Sequence, residues 1–200
     1  MAATMMPSQP HGAPDPYPLP YRTAAAAEMR CIGSTARLLK DRRVHLPSEN
    51  VGRRFRFADG TSARVYRETV VDDAEVRDPC VLVVTFTLRV LRGHGHDLFR
   101  LESILNTPLF VGFPGFVSKL WLEADEHGAY RGIYQWDGAA SAEHYARSLW
   151  RVLAIGSVPG TIHYTVLPGM LRDTFTDAPS TTDASAPDAA TAWWRVVGEA

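Results

Sequence analysis

The run CVLVVTFTLRVL, residues 80–91, constrains this chain more than any other stretch. Leu82, Val84, Phe86 and Leu88 fall in one phase of a strand, and Val83, Thr85, Thr87 and Arg89 in the other. The first phase is wholly apolar, so that side of a sheet must be covered, and helices are the natural cover. The next residues supply them. In DLFRLESILNTPLF, 97–110, Leu98, Leu101, Ile104 and Leu105 recur at helical spacing until Pro108 ends or bends the helix. FPGF is a turn, and FVSKLWLEA and YRGIYQWD read as strands around a turn at EHG. AASAEHYARSLWRVLAIG, 139–156, reads as a second helix with Ala142, Tyr145, Ala146, Leu149 and Leu153 on its core stripe, and TIHYTVLPGML as a last strand. The order over 80–172 is β-α-β-β-α-β: an α+β, ferredoxin-like antiparallel sheet with both helices on one face.

Residues outside that unit read as extensions. The first 20 are rich in Pro and small residues, which predicts a disordered arm. Residues 21–42 favour a helix, with Met29, Ile32, Ala36 and Leu39 on one stripe. Phe55 and Phe57 alternate with Arg before an Asp59-Gly60 turn, and a second run from Ala63 to Val71 completes a hairpin, so 21–71 is a helix-and-hairpin extension. Residues 173–200 read as a flexible tail with the apolar end WWRVV, whose Trp193 and Trp194 dock on the domain or on a partner chain.

At 200 residues the chain suits one domain with extensions, and a net charge of −1 gives no bulk attraction to nucleic acid or to an anionic membrane. Lys40 and Lys119 are the only lysines among many arginines, a bias that a GC-rich genome explains. Cys31 and Cys80 lie far apart in apolar contexts and read as free thiols of a reducing cytoplasm. Without a signal-peptide pattern or an apolar run of spanning length, the expected location is cytoplasmic. His94 and His96 in GHGH lack a third identifiable ligand, so no metal is expected. No phosphate loop and no nucleophile motif stands out.

In GFPGFVSKLWLEADEHGAYRGIYQWDGAASAEHYARSLWRVL, the PGF after the first helix, the aromatic hairpin and the Y-x-W-D step into an alanine-rich helix resemble the dimeric α+β barrel superfamily. Within it, residues 80–172 look most like small bacterial monooxygenase-like proteins related to antibiotic-biosynthesis monooxygenases. The resemblance implies a homodimer whose two sheets face each other as a barrel. It implies a hydrophobic aromatic or polyketide-like small molecule, such as a polycyclic phenol or quinol, held between one subunit's sheet and its helices. It also implies oxygenation with no cofactor, in which the substrate becomes an anion that passes an electron to O₂. The superfamily includes haem enzymes, isomerases, lactone-forming enzymes and members without known catalysis, so an isomerase or cyclase and a non-catalytic ligand-binding or assembly module stay open. The long extension and the WWRVV tail suit the assembly reading.

Tyr130, Gly132, Tyr134 and Trp136 share one face of their strand. In the family pattern Trp136 packs toward the helices, which brings Tyr134 to that side and lets Gly132 leave space for a ligand. Tyr134 and His163 are the catalytic candidates, for hydrogen bonding and proton transfer, with Trp121, Tyr130 and Trp136 lining the cavity and Lys119 beside the substrate. Tyr134, Trp136 and His163 serve equally well as core. A mid-strand lysine ordinarily points to solvent or an interface; a buried Lys119 with lowered pKa would be a base or an anion partner. Asn106 reads as a helix-end cap.

Overall fold

The doubly apolar run lies inside the sheet. In the computed structural model, which describes residues 18–72, 74, 76–89, 110–177 and 192–200, it forms β4 (Pro79–Thr87). One edge of β4 pairs with β6 (Ala129–Asp137) and the other with β7 (His163–Pro168), while β5 (Phe116–Leu122) lies on the far side of β6. The resulting order β7-β4-β6-β5, all antiparallel, is the ferredoxin-like order expected. Helix α2 (Ala139–Gly156) packs on one face through Ala142, Tyr145 and Ala146, with Leu149 and Leu153 half-buried beside them. The helix expected over 97–110 lies almost wholly outside the described residues, as do His94, His96 and Asn106, the arm over 1–17 and the linker over 178–191.

The sheet continues past β5. There β3 (Ser62–Val71) pairs with β5, β2 (Arg54–Phe57) folds back on β3 around the Asp59-Gly60 turn, and β8 (Val196–Glu199) pairs with β2. A short β1 (Val44–His45) pairs with the far end of β3. Register shifts between Val65 and Arg67 and between Phe116 and Ser118 add twist, so the sheet curls. Two turns are tied together across the molecule. Arg131 of β6, almost fully buried, pairs with Asp125 at 2.5 Å and with Asp59 of the β2–β3 turn at 2.7 Å.

Alternation along the strands gives the sheet two cores. Leu82, Val84, Trp136, Tyr164 and Val166 face the helices. Val81, Val83, Leu120, Leu122 and Ile133 face the other way, where Phe55, Phe57, Phe175 and Val196 cover them and Trp193 and Trp194 pack alongside. Phe175 belongs to a short helix, α3 (Arg172–Asp177), and Trp194 stacks on it with ring centroids 6.5 Å apart. The tail therefore begins in a helix and ends in a strand, with its tryptophans docked on this chain. The face that a dimeric barrel would turn toward a partner sheet is covered here by the chain's own hairpin, α3 and tail.

Helix α1 (Tyr21–Lys40) forms as expected but rotated from the expected stripe. Met29, Ile32 and Leu39 are exposed at 69%, 40% and 50%, whereas Ala24, Ala27, Cys31 and Thr35 are buried. The reason is proximity. A Cβ on Gly112 would overlap the Cys31 carbonyl oxygen and lie 2.7 Å from Thr35 N, a separation that only a small-residue face allows.

Candidate functional site

Three neighbouring strands aim a cluster of side chains at the helices. Lys119 of β5 lies opposite Tyr134 of β6, and Trp121 lies opposite Gly132. On the other side of β5, Arg67 of β3 lies opposite Trp121 and Thr69 opposite Lys119. Directly opposed residues of an antiparallel pair share a face, so the ladder alone brings these groups together.

The Lys119 Nζ is 3.1 Å from the Trp121 ring centroid, 4.6 Å from that of Tyr134 and 4.9 Å from that of Phe110. The Arg67 guanidinium carbon lies 4.1 Å from the Trp121 ring centre. The indole is held in place because its Nε1 donates to Thr69 Oγ1 at 3.1 Å. Behind them, the hydroxyls of Tyr134 and Tyr145 meet at 3.3 Å. A Cβ at Gly132 would sit 2.8 Å from Tyr134 Cε2 and 3.1 Å from Lys119 Cε. The space expected beside Gly132 for a ligand is thus filled by Tyr134 and the lysine stem, which corrects that expectation.

Charge is what distinguishes this cluster from ordinary core. Lys119 is 6% exposed, and no carboxylate pairs with it among the described residues. Burial, then the nearby Arg67 charge, holds its amine well below the ordinary lysine range. Burial likewise brings Arg67 down to about 10. Burial raises the Tyr134 and Tyr145 phenols, so both stay protonated. Glu28 of α1 points its half-buried carboxyl toward this layer. Both its oxygens lack a hydrogen-bond partner among the described residues, and burial raises it to about 7. Its charge acts on Tyr145 and Cys31, and the buried Cys31 thiol is itself pushed up to about 11, chiefly by burial. The result is an amine with a depressed affinity for its proton inside an aromatic enclosure, with a guanidinium beside it and two protonated phenols behind. Such an amine can take a proton or attack an electrophile, and the phenols can donate hydrogen bonds.

Of the residues predicted from sequence, the fold brings together Lys119, Trp121 and Tyr134. Trp136 is fully buried one step behind, 5.0 Å from the Tyr145 ring, with its Nε1 lacking an acceptor among the described residues. Tyr130 stacks on Phe86 at 5.9 Å, farther along β6 from Tyr134. His163 does not join the site. It lies opposite Thr85, on the face away from the helices, with its ring 6.2 Å from Trp193, while its neighbour Tyr164 faces the helix core. Strand parity is the physical reason: Tyr134 and His163 occupy opposite phases of the same sheet. Sequence reasoning also missed Arg67, Glu28 and Phe110 as members. Tyr145 carried a signal, its place on the α2 stripe; Arg67 carried none, because the β3–β5 pairing is not written locally.

A separate cleft of about 460 Å³ lies beside α3, lined by His45, Asn50, Arg53, Glu68, Arg172 and Asp177 among others. Its charges are spent on one another: Arg172 pairs with Glu68 and Arg53 with Asp177, each at 2.7 Å. Among the described residues no cluster of three or more His, Cys, Asp or Glu could hold a metal, and no helix is long and apolar enough to cross a membrane.

No protein-family description matches the chain, and no curated protein matches it. Among solved structures, it is similar to an uncharacterized ferredoxin-fold protein related to antibiotic biosynthesis monooxygenases from Listeria monocytogenes 4b F2365. The identity is 14% and the TM-score 0.38, over 55% of this chain and 64% of that one. The chain thus spans less than two thirds of that protein's length. Its own strand order, not that likeness, defines its fold.

Proposed function

We propose that the chain is a monooxygenase-like enzyme acting on a hydrophobic aromatic or polyketide-like phenol, with Lys119 as its base. The observation that carries this reading is the buried Lys119 amine, ringed by Trp121, Tyr134 and Phe110 and paired with no carboxylate among the described residues. An amine in that setting is held ready to accept a proton. Taking it from a phenol leaves a phenolate beside an ammonium, and the substrate supplies the counter-ion the site lacks. The Trp121 and Tyr134 rings stabilise the new cation.

The phenolate then gives one electron to O₂. Recombination of superoxide with the phenoxyl radical forms a carbon–oxygen bond on the ring, and loss of water from the peroxide leaves a quinone. The balance is one phenol and one O₂ in, one quinone and one water out. The role first assigned to His163 passes to Lys119, because the histidine faces the other core. The arms that favoured an assembly module are engaged within this chain, and any homodimer would use a surface other than the one they cover.

Native mass spectrometry of protein from its own host, followed by oxygen uptake with the retained compound or a panel of phenols and quinols, tests the reading. Turnover should consume O₂ and fall at least about a hundredfold in Lys119→Met, the usual scale for loss of a general base. The variant should stay folded, since no described carboxylate loses a partner. Turnover without O₂ uptake would mark an isomerase or cyclase instead. Uptake undiminished in the variant would remove the lysine from the chemistry.

A further inference from the structure

We propose that Lys119 is a covalent carbonyl site: its Nζ condenses with a small aldehyde or ketone to form an imine. Three features meet at this atom. The amine is enclosed by the rings of Trp121, Tyr134 and Phe110, so water does not solvate an ammonium there. A second cation, Arg67, sits over the same indole, and a neighbouring positive charge is one of the two ways a lysine is made nucleophilic. No carboxylate pairs with Lys119 among the described residues, so no anion anchors its proton.

The step balances without an oxidant. The nitrogen lone pair attacks the carbonyl carbon, the carbonyl pair moves to oxygen, and the resulting carbinolamine loses that oxygen with both amine protons as water. The Tyr134 hydroxyl is turned to Tyr145 behind the amine, so the carbonyl oxygen takes its first proton from the attacking nitrogen as the carbinolamine forms. The aromatic enclosure selects apolar carbonyl compounds. This inference needs only the neutral amine and stands apart from the oxygenase reading.

The chain supplies its own control. Its lysines are Lys40 and Lys119, the first exposed at the end of α1 and the second buried. The intact protein is incubated at neutral pH with propanal or benzaldehyde and cyanoborohydride, which reduces any imine to a stable amine, and the adducts are mapped by peptide mass spectrometry. An ordinary lysine is neutral in only roughly one molecule in a few thousand at that pH. Lys119 should therefore be modified about tenfold or more faster than Lys40 despite its burial, with the preference narrowing as pH rises. Arg67→Gln should shift the onset of Lys119 labelling to higher pH. Adducts confined to Lys40 and the chain's terminal amine, on protein that keeps its native thermal transition, would overturn the proposal. Oxygen uptake without imine trapping sinks only this inference, and trapping without uptake sinks only the oxygenase.

Discussion

At the scale of single residues, the helix-facing layer disfavours the charged forms of Lys119 from the sheet and of Glu28 from α1. In both cases the chief cause is desolvation by burial. Glu28 makes a clean pH prediction. In the unfolded chain its carboxyl loses a proton near 4.5, and in the folded chain near 7. Between those values the folded form still holds a proton the unfolded form has lost, so stability falls as pH rises through the window and is level above it. The carboxyls of Asp137 and Asp177 are depressed by hydrogen bonds to Asp78 and Arg53 respectively, and their effect runs the other way at lower pH. Thermal melts from pH 4.5 to 7 should show stability falling more, or rising less, in the wild type than in Glu28→Gln, because the depressed Lys119 amine adds an opposite trend common to both. An unchanged slope in the variant would place the titration elsewhere.

Elements meet through side-chain size as much as through polarity. Helix α1 buries Ala24, Ala27, Cys31 and Thr35, the last two against Gly112, which completes the contact by having no Cβ. The Arg151 guanidinium over the Tyr21 ring and its bond to the Leu19 carbonyl fasten the start of α1 to α2. Gly112→Ala should cost at least about 1–3 kcal/mol, the range for overpacking a close interface, because the clash is with backbone atoms that cannot step aside. Met29→Ala, on the face first expected to be buried, should stay within about 0.5 kcal/mol. Denaturant melts of the two variants decide it: equal effects would mean that α1 packs on its large residues after all.

For the whole molecule, the governing feature is that the sheet has two apolar faces and the chain covers both. Helices take one; the β2–β3 hairpin, α3 and the Trp193–Trp194 tail take the other. Removing residues 192–200 strips β8 from β2 and uncovers the core formed by Val81, Val83, Leu120 and Ile133. Exposed apolar patches of that kind drive association. Light scattering after gel filtration should show the truncated chain in a larger assembly than the full chain, with increased binding of a hydrophobic dye. An unchanged assembly and no dye binding would mean that the tail covers nothing of consequence.

The amino-acid sequence by itself determined β2 to β7, α1, α2 and their order, because alternation in 80–87 and helical spacing in 139–156 are local signals, whereas α3 and β8 formed in what read as a flexible tail. Period-two counting put Trp136 and Tyr134 on one face of their strand, and the family resemblance turned that face toward the helices, where both lie. The sequence could not relate the phase of one strand to that of another. That is why His163 was grouped with Tyr134, and why Arg67 went unnoticed beside Trp121. The rotation of α1 was equally hidden, because a glycine far along the chain at Gly112, not the helix's own apolar pattern, sets which face fits. Strand pairing and close approach act between residues distant in sequence, so the burial of Lys119, and with it the chemistry proposed for the site, was decided only in the folded molecule.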